Sequence, residues 1–185
     1  FNWVIDMDEC NLIPRIWFKK IRLIFEFLKD QGIIGYDLKR SEGDLRYIVS
    51  KINDESSMLI FVVKSYDKSI FDKAANLAIN LGFKSIYLLN NSLKTDIASG
   101  EVVEFWGDKY ITIDVNTDKK TYKFKIGPQT FFQNNIYIIA KVVNYIINNL
   151  NNYIGDCSEY SLLDFYCGVG TIGICLADRF KNVLG

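Results

Sequence analysis

Leu163-Asp164-Phe165-Tyr166-Cys167-Gly168-Val169-Gly170-Thr171-Ile172-Gly173 is the stretch from which the fold of this chain is read. An apolar run over 162–166 leads into a glycine turn at 168–170 and then into a helical pattern over 171–180. Strand, glycine turn, helix is the order in which an α/β nucleotide-binding unit opens. Glycines suit the turn because the chain reverses tightly and a ligand must approach its backbone. The start of the helix adds N–H groups with no partner inside the helix. The segment spells G-x-G-x-x-G, a spacing shared by dinucleotide sites, other ligand loops of this build, and turns that bind nothing. Val183-Leu184-Gly185 reads as the beginning of a second parallel strand.

Upstream, residues 122–126 alternate, with Tyr122, Phe124 and Ile126 on one face and Lys123 and Lys125 on the other. A loop, Gly127-Pro128-Gln129-Thr130-Phe131-Phe132-Gln133-Asn134, precedes a helix whose apolar face is Ile136, Ile139, Ala140, Val143, Ile146, Ile147 and Leu150. Asn134 or Asn135 is placed to cap it, and the Asn-rich stretch 148–156 reads as an exposed linker. Residues 102–106 and 110–115 read as strands flanking a tight turn at Gly107-Asp108. Nearer the start, a short strand is expected at 3–8. A helix follows from Pro14, with Ile13, Trp17, Ile21, Ile24 and Leu28 at helical spacing and Gly32 as its stop. Strands are expected at 45–52, 58–63 and 85–89. Between the last two runs a helix begun by Ser69, with Asp72 as capping-box partner. The order β-α-β-β-α-β is the ferredoxin-like pattern. The expected fold class is therefore α+β, a ferredoxin-like unit plus antiparallel strands, followed by the start of an α/β Rossmann-like domain. The boundary falls between residues 1–126 and 127–185.

Composition narrows the function. The 185 residues are 49% hydrophobic and 24% charged with only 2 Pro, enough apolar material for a packed core. Lys plus Arg and Asp plus Glu are both 22, which excludes a globally basic nucleic-acid glove but leaves room for local basic patches. With no His, triads, zinc sites and proton shuttles that need imidazole are excluded. Cys10, Cys157, Cys167 and Cys175 show no CxxC pairing, so reduced thiols, a cytoplasmic location and no metal site are expected. No signal-peptide pattern opens the chain and no apolar run reaches the roughly 18 residues of a membrane span. The first residue is Phe rather than Met, so a piece of a longer protein is expected.

Two segments together carry a family resemblance. Asp164 stands four residues before Gly168, giving D-x-x-x-G-x-G, which resembles the first motif of S-adenosylmethionine-dependent methyltransferases. Gly127-Pro128-Gln129-Thr130-Phe131-Phe132-Gln133-Asn134-Asn135, followed at a fitting distance by Leu162-Leu163-Asp164-Phe165-Tyr166-Cys167-Gly168-Val169-Gly170-Thr171, resembles the RNA uracil-C5 methyltransferases of rRNA and tRNA. Weaker echoes lie at Asp6, Cys10 and Leu12, at 43–46, and from Gly100 to Gly107. The chain departs from that family's pattern at Gly127 (usually Ser), Gln129 (commonly Arg), Asn134 (usually Val), Asp44 (an apolar position) and Thr171 (Asn in some members).

The resemblance implies transfer of a methyl group from S-adenosylmethionine to C5 of a uridine in rRNA or tRNA. It also implies that Gln133 reaches the cofactor near the target base and that Tyr166 packs against the cofactor. Gly168 and Gly170 let the backbone approach it, and Asp164 and Thr171 join the same site. Phe131 and Phe132 become candidates for stacking on an extruded base, and Arg46 a candidate RNA contact. The basic groups Arg15, Lys19, Lys20, Arg22 and Lys119, Lys120, Lys123, Lys125 are further phosphate candidates or simply solvated faces. The family chemistry uses a Cys thiolate that adds to C6 of uracil and a carboxylate base that removes the C5 proton. By resemblance both lie beyond Gly185, so no catalytic residue is assigned, and Cys167 is expected to pack under the cofactor loop. Two other readings remain at this point. One is an RNA-binding α+β module. The other is an enzyme sharing only the glycine loop, a different methyltransferase or a nicotinamide-dependent oxidoreductase.

Overall fold

In a computed structural model describing residues 6–53, 55–133 and 135–185, the chain divides into two compact units, Phe1–Ile111 and Thr112–Gly185. The first unit begins with helix α1, Arg15–Asp30, which follows Pro14 and buries Ile24 and Leu28. Proline suits a helix start because its missing N–H would have had no helical partner. Gly32, at φ 82°, ends the helix, and the N–H of Ile33 reaches back to the carbonyl of Leu28. That left-handed stop is a conformation glycine adopts without a Cβ penalty.

Four strands, β1 (Leu45–Ile52), β2 (Ser57–Val63), β3 (Ser85–Asn90) and β4 (Glu101–Gly107), form one sheet in the order β1-β2-β3-β4. β1 pairs antiparallel with β2, β2 pairs parallel with β3 across helix α2 (Lys68–Asn80), and β3 pairs antiparallel with β4. β2 is buried along its whole length, as a central Met-Leu-Ile-Phe-Val-Val run should be. Leu59, Phe61, Val63, Ile86 and Leu88 pack with Ile24 and Leu28 of α1 and with Phe71, Ala74 and Ala78 of α2. The Phe61 and Phe71 rings meet edge to face at 5.4 Å, and Trp17 meets Phe83 the same way at 4.9 Å. The alanines on α2 let its backbone come close to the sheet.

This sheet corrects the ferredoxin-like expectation. In that arrangement 58–63 and 85–89 are separated by another strand and every neighbour is antiparallel. Here β2 and β3 are direct parallel neighbours, and the sheet is mixed. Of the strand expected at 3–8, residues 1–5 lie outside the described residues and Asp6, Met7 and Asp8 are not in a strand. Helix α2 is capped by Asp67, whose carboxylate accepts the N–H of Ser69 at 2.8 Å. Asp72, expected as a capping partner, instead holds Lys68 in an i,i+4 ion pair.

In the second unit β5 (Ile111–Asn116, its first residue at the boundary) pairs with β6 (Thr121–Ile126). β4 and β5 are thus not a hairpin about Gly107-Asp108. Gly107, at φ 77°, instead lies so close to the Lys84 carbonyl that a Cβ there would stand 2.3 Å from the oxygen. Helix α3, Ile136–Tyr153, buries Ile139 and Val143 and follows Asn135; Asn134 lies outside the described residues. It runs through most of the expected Asn-rich linker, because its weak helix formers are carried by the apolar face up to Leu150. Gly155 at φ 79° then returns its N–H to the Leu150 carbonyl. Strand β7 (Ser161–Leu163), helix α4 (Thr171–Leu176), a 3-10 turn (Ala177–Arg179) and strand β8 (Asn182–Leu184) close the chain, with β7 and β8 parallel.

The Lys51 side chain, half-buried on β1, has its ammonium pKa lowered to about 8 by desolvation. A lysine whose folded pKa lies below its unfolded value favours folding in its neutral form. Its contribution is therefore present above the unfolded pKa and lost as pH falls through about 8. Denaturation midpoints of the full-length protein are expected to rise between pH 8 and roughly 10.5 by a component that Lys51→Met removes. A Lys51→Met protein with the wild-type pH slope would contradict this.

Candidate functional site

The backbone of the glycine turn is left-handed at every second residue: Tyr166 at φ 64°, Gly168 at 58° and Gly170 at 73°. For the glycines this carries no side-chain penalty, but for Tyr166 it costs about 1–2 kcal/mol. The conformation throws the Tyr166 ring fully into solvent beside Phe165, itself 80% exposed. Two bonds close the turn: the Gly170 N–H donates to the Cys167 carbonyl and the Ile174 N–H to the Gly170 carbonyl, both at 2.8 Å.

A second segment comes to the same place. At its start the Gly127 N–H donates to Thr130 Oγ1 at 3.1 Å, which tightens the bend. Phe132 is buried against Phe124, with ring centroids 5.8 Å apart. Anchoring that one side chain turns its neighbours Phe131 and Gln133 outward, and Phe131 is 70% exposed. A Cβ added to Gly168 would lie 3.8 Å from the Phe131 ring, so this aromatic sits over the turn.

Between the two segments and α3 lies a cleft of about 380 Å³, within the range of small-molecule sites. Gln133, Asp164, Tyr166 and Thr171 all line it, and so does Phe131. Gly168 and Gly170 shape the turn beside it. One carboxylate oxygen of Asp164 accepts the Gly173 N–H at 3.0 Å. Sequence reasoning missed the helical wall made by Ile138 and Val142 of α3. Both are partly exposed and four residues apart, next to the buried pair Ile139 and Val143. That doubled apolar stripe was the available signal.

Cys167 borders the cleft and packs on the end of β8, where a Cβ on Gly185 would stand 2.9 Å from its own. Cys175 is buried and its thiol is pushed up to about 11 by desolvation, which keeps it protonated at neutral pH. Among the described residues no group of three or more Cys, Asp or Glu is placed to hold a metal ion, and no helix is long and apolar enough to cross a membrane.

Arg46, the expected RNA contact, lies in the first unit with its guanidinium already engaged. The β1–β2 register slips between Leu45 and Tyr47, which makes Arg46 the extra residue of a bulge and re-aims its side chain. It donates to the carbonyls of Asn91 (2.9 Å), Leu93 (2.6 Å) and Thr95, and stacks over Tyr36 at 4.7 Å. Tyr47 binds Asp96, Lys64 donates to the Ser92 carbonyl at 2.8 Å, and Asn91 donates to Ile97 and Ser99. Together these hold the loop between β3 and β4. The basic groups are partly neutralised within the chain. Arg22 bridges Asp6 at 2.8 Å, Lys20 lies over Trp17, Lys120 pairs with Asp178 and Lys123 with Asp114.

A short strand, a glycine turn and a helix thus stand beside a largely apolar cleft of the size that small-molecule sites have. The sequence matches the tRNA (uracil-5-)-methyltransferase family profile over residues 44–185, and the chain belongs to that family. It is 30% identical to a tRNA (uracil(54)-C(5))-methyltransferase of Pyrococcus abyssi over 98% of its length, covering 41% of that protein. It is 29% identical to an uncharacterized RNA methyltransferase of Caldanaerobacter subterraneus subsp. tengcongensis over its full length, again 41% of the relative. A crystal structure of the Pyrococcus abyssi tRNA (uracil-54, C5)-methyltransferase in complex with S-adenosyl-L-homocysteine superposes with a TM-score of 0.70 at 31% identity. That match covers 96% of this chain and 41% of the other. The chain thus spans about two-fifths of the length of these relatives.

Replacing Arg46 by Lys keeps the charge but loses the planar fork that reaches three carbonyls. Arg46→Lys in the full-length protein is expected to lower stability by about 2–3 kcal/mol and to speed hydrogen exchange across residues 92–97. Unchanged exchange in that loop would show that the clamp does not hold it.

Proposed function

We propose that the protein containing this chain transfers a methyl group from S-adenosylmethionine to C5 of a uridine in RNA, with a tRNA or rRNA as substrate and the cytoplasm as its place of action. The observation that carries the proposal is that Gln133 and the glycine turn, more than thirty residues apart in sequence, border one cleft. Membership of the family gives that juxtaposition its meaning.

The residues fit the cofactor. The cleft offers apolar and aromatic walls, Ile138, Val142, Phe165 and Ile172, suited to an adenine ring. It also offers the Gln133 amide and the Thr171 hydroxyl, beside a turn shaped by Gly168 and Gly170. When bound, S-adenosylmethionine supplies an electrophilic methyl group on sulfur. Gln133 hydrogen-bonds and orients, the exposed Tyr166 ring packs against the cofactor, and Phe131 presents a ring face to a base taken out of its stack. Cys167 packs under the turn. The thiolate and the base that the family's chemistry requires are expected outside this segment.

In the same reading, residues 1–126 form the central domain of the enzyme, although its last strands, β5 and β6, share a compact unit with the segment that follows. Residues 127–185 form the loop, helix and first strand–turn–helix of a Rossmann-like methyltransferase domain, of which β7 and β8 are the first parallel pair.

Full-length enzyme is expected to transfer radiolabelled methyl from S-adenosylmethionine to uridine-containing RNA. Gln133→Ala should lower kcat/KM about tenfold, the worth of one lost polar contact to the cofactor. A full-length protein that binds RNA without transferring methyl, or that binds a nicotinamide dinucleotide tightly, would contradict the proposal.

A further inference from the structure

The residue preceding helix α4 is Gly170, whose φ of 73° favours glycine and which therefore carries no side chain to cap the helix. The N–H of Gly173, in the first turn, therefore needs an acceptor from elsewhere. Asp164 supplies it from the end of β7, its carboxylate 3.0 Å away. The strand side of Asp164 is fixed as well, because its own N–H donates to the Leu184 carbonyl of β8 at 2.8 Å. Gly173 is buried, and a Cβ there would stand 3.1 Å from the Asp164 carboxylate and 3.1 Å from Val183. The third glycine of the G-x-G-x-x-G run thus has a local physical reason. It lets a carboxylate from one strand and a methyl group from the next reach the helix backbone.

From this geometry we infer that Asp164 is a positioning residue. It caps α4 across the turn and so holds the left-handed segment 166–170 in the shape that the ligand meets. The inference rests on the methyltransferase reading of the cleft for its ligand, but not for the capping bond itself. One Asp carboxylate replaces the cap that Gly170 cannot provide, and Gly173 makes room for it. The turn is then tied at both ends, to β7–β8 through Asp164 and to α4 through Gly173.

The test uses full-length enzyme carrying Asp164→Asn, Asp164→Ala, Gly173→Ala or Asp164→Ala with Gly173→Ala. Titration calorimetry measures S-adenosylhomocysteine binding, and hydrogen exchange is read at the Gly173 amide. An Asn side-chain oxygen still accepts an N–H, so Asp164→Asn is expected to bind within about threefold of wild type and to keep Gly173 protected. Asp164→Ala should bind about tenfold more weakly or worse and expose the Gly173 amide. Gly173→Ala places a methyl group 3.1 Å from the same carboxylate and crowds that bond from the other side, so the double variant should be no weaker than the worse single one. Asp164→Asn as weak as Asp164→Ala would mean that the charge itself meets the ligand and would overturn the inference. Additive losses, or unchanged exchange at Gly173 in Asp164→Ala, would also overturn it. If wild type binds no S-adenosylhomocysteine the functional reading fails, while the exchange measurement still decides the cap.

Discussion

The left-handed backbone at Tyr166, Gly168 and Gly170 is the constraint around which the second unit is arranged. A chain that leaves a short strand and re-enters a helix within seven residues has to reverse tightly, and each reversal removes a side chain or strains one. Gly168 and Gly170 are the positions where no side chain fits the conformation cheaply. Tyr166 keeps its ring and bears the strain, and the outcome is a large aromatic fully in solvent at the edge of a cleft. Strain of that kind persists where the surroundings over-determine it, and it gathers at sites that meet ligands. The buried Phe132 does the matching work on the opposite wall, because fixing one ring decides that Phe131 and Gln133 face outward.

The first unit solves a different problem. Its sheet has a fully buried central strand, so specificity of loop placement has to come from polar ties at the edges. Arg46 shows how. A bulge in β1 turns the guanidinium toward three backbone carbonyls of the β3–β4 loop, and charge-assisted bonds to carbonyls are stronger than neutral ones. The long loop is thereby tied to β1 through three of its carbonyls. An arginine used this way has its donors turned toward protein carbonyls rather than toward a phosphate.

Much of this was legible in the sequence, and the pattern of misses is informative. Periodicity located α1, α2, α3 and nearly every strand, because burial of one face imposes spacing that a reader can see. Pairing was less legible. The order of elements suits both an interleaved antiparallel sheet and the observed one, and the choice is made by contacts between β2 and β3 that no local pattern encodes. The turn at Gly107 looked like a hairpin, yet that glycine serves a close approach to the Lys84 carbonyl. Gln133, Asp164, Tyr166 and Thr171 were singled out through motif residues, and one cleft is lined by all four. The Ile138 and Val142 wall was hidden because apolar residues on a helix read as core. Asp164 was legible as a motif residue but not as a partner of the Gly173 N–H, which lies nine positions away.

The central claim is that the cleft bounded by Gln133, Phe131 and the 166–170 turn holds the methyl donor. A crystal structure of the full-length protein with S-adenosylhomocysteine tests it most directly. The account predicts the ligand in that cleft, with its adenine against the apolar wall of α3 and Phe165 and a polar contact to Gln133. Density for the ligand at any other place, with this cleft empty, would contradict it.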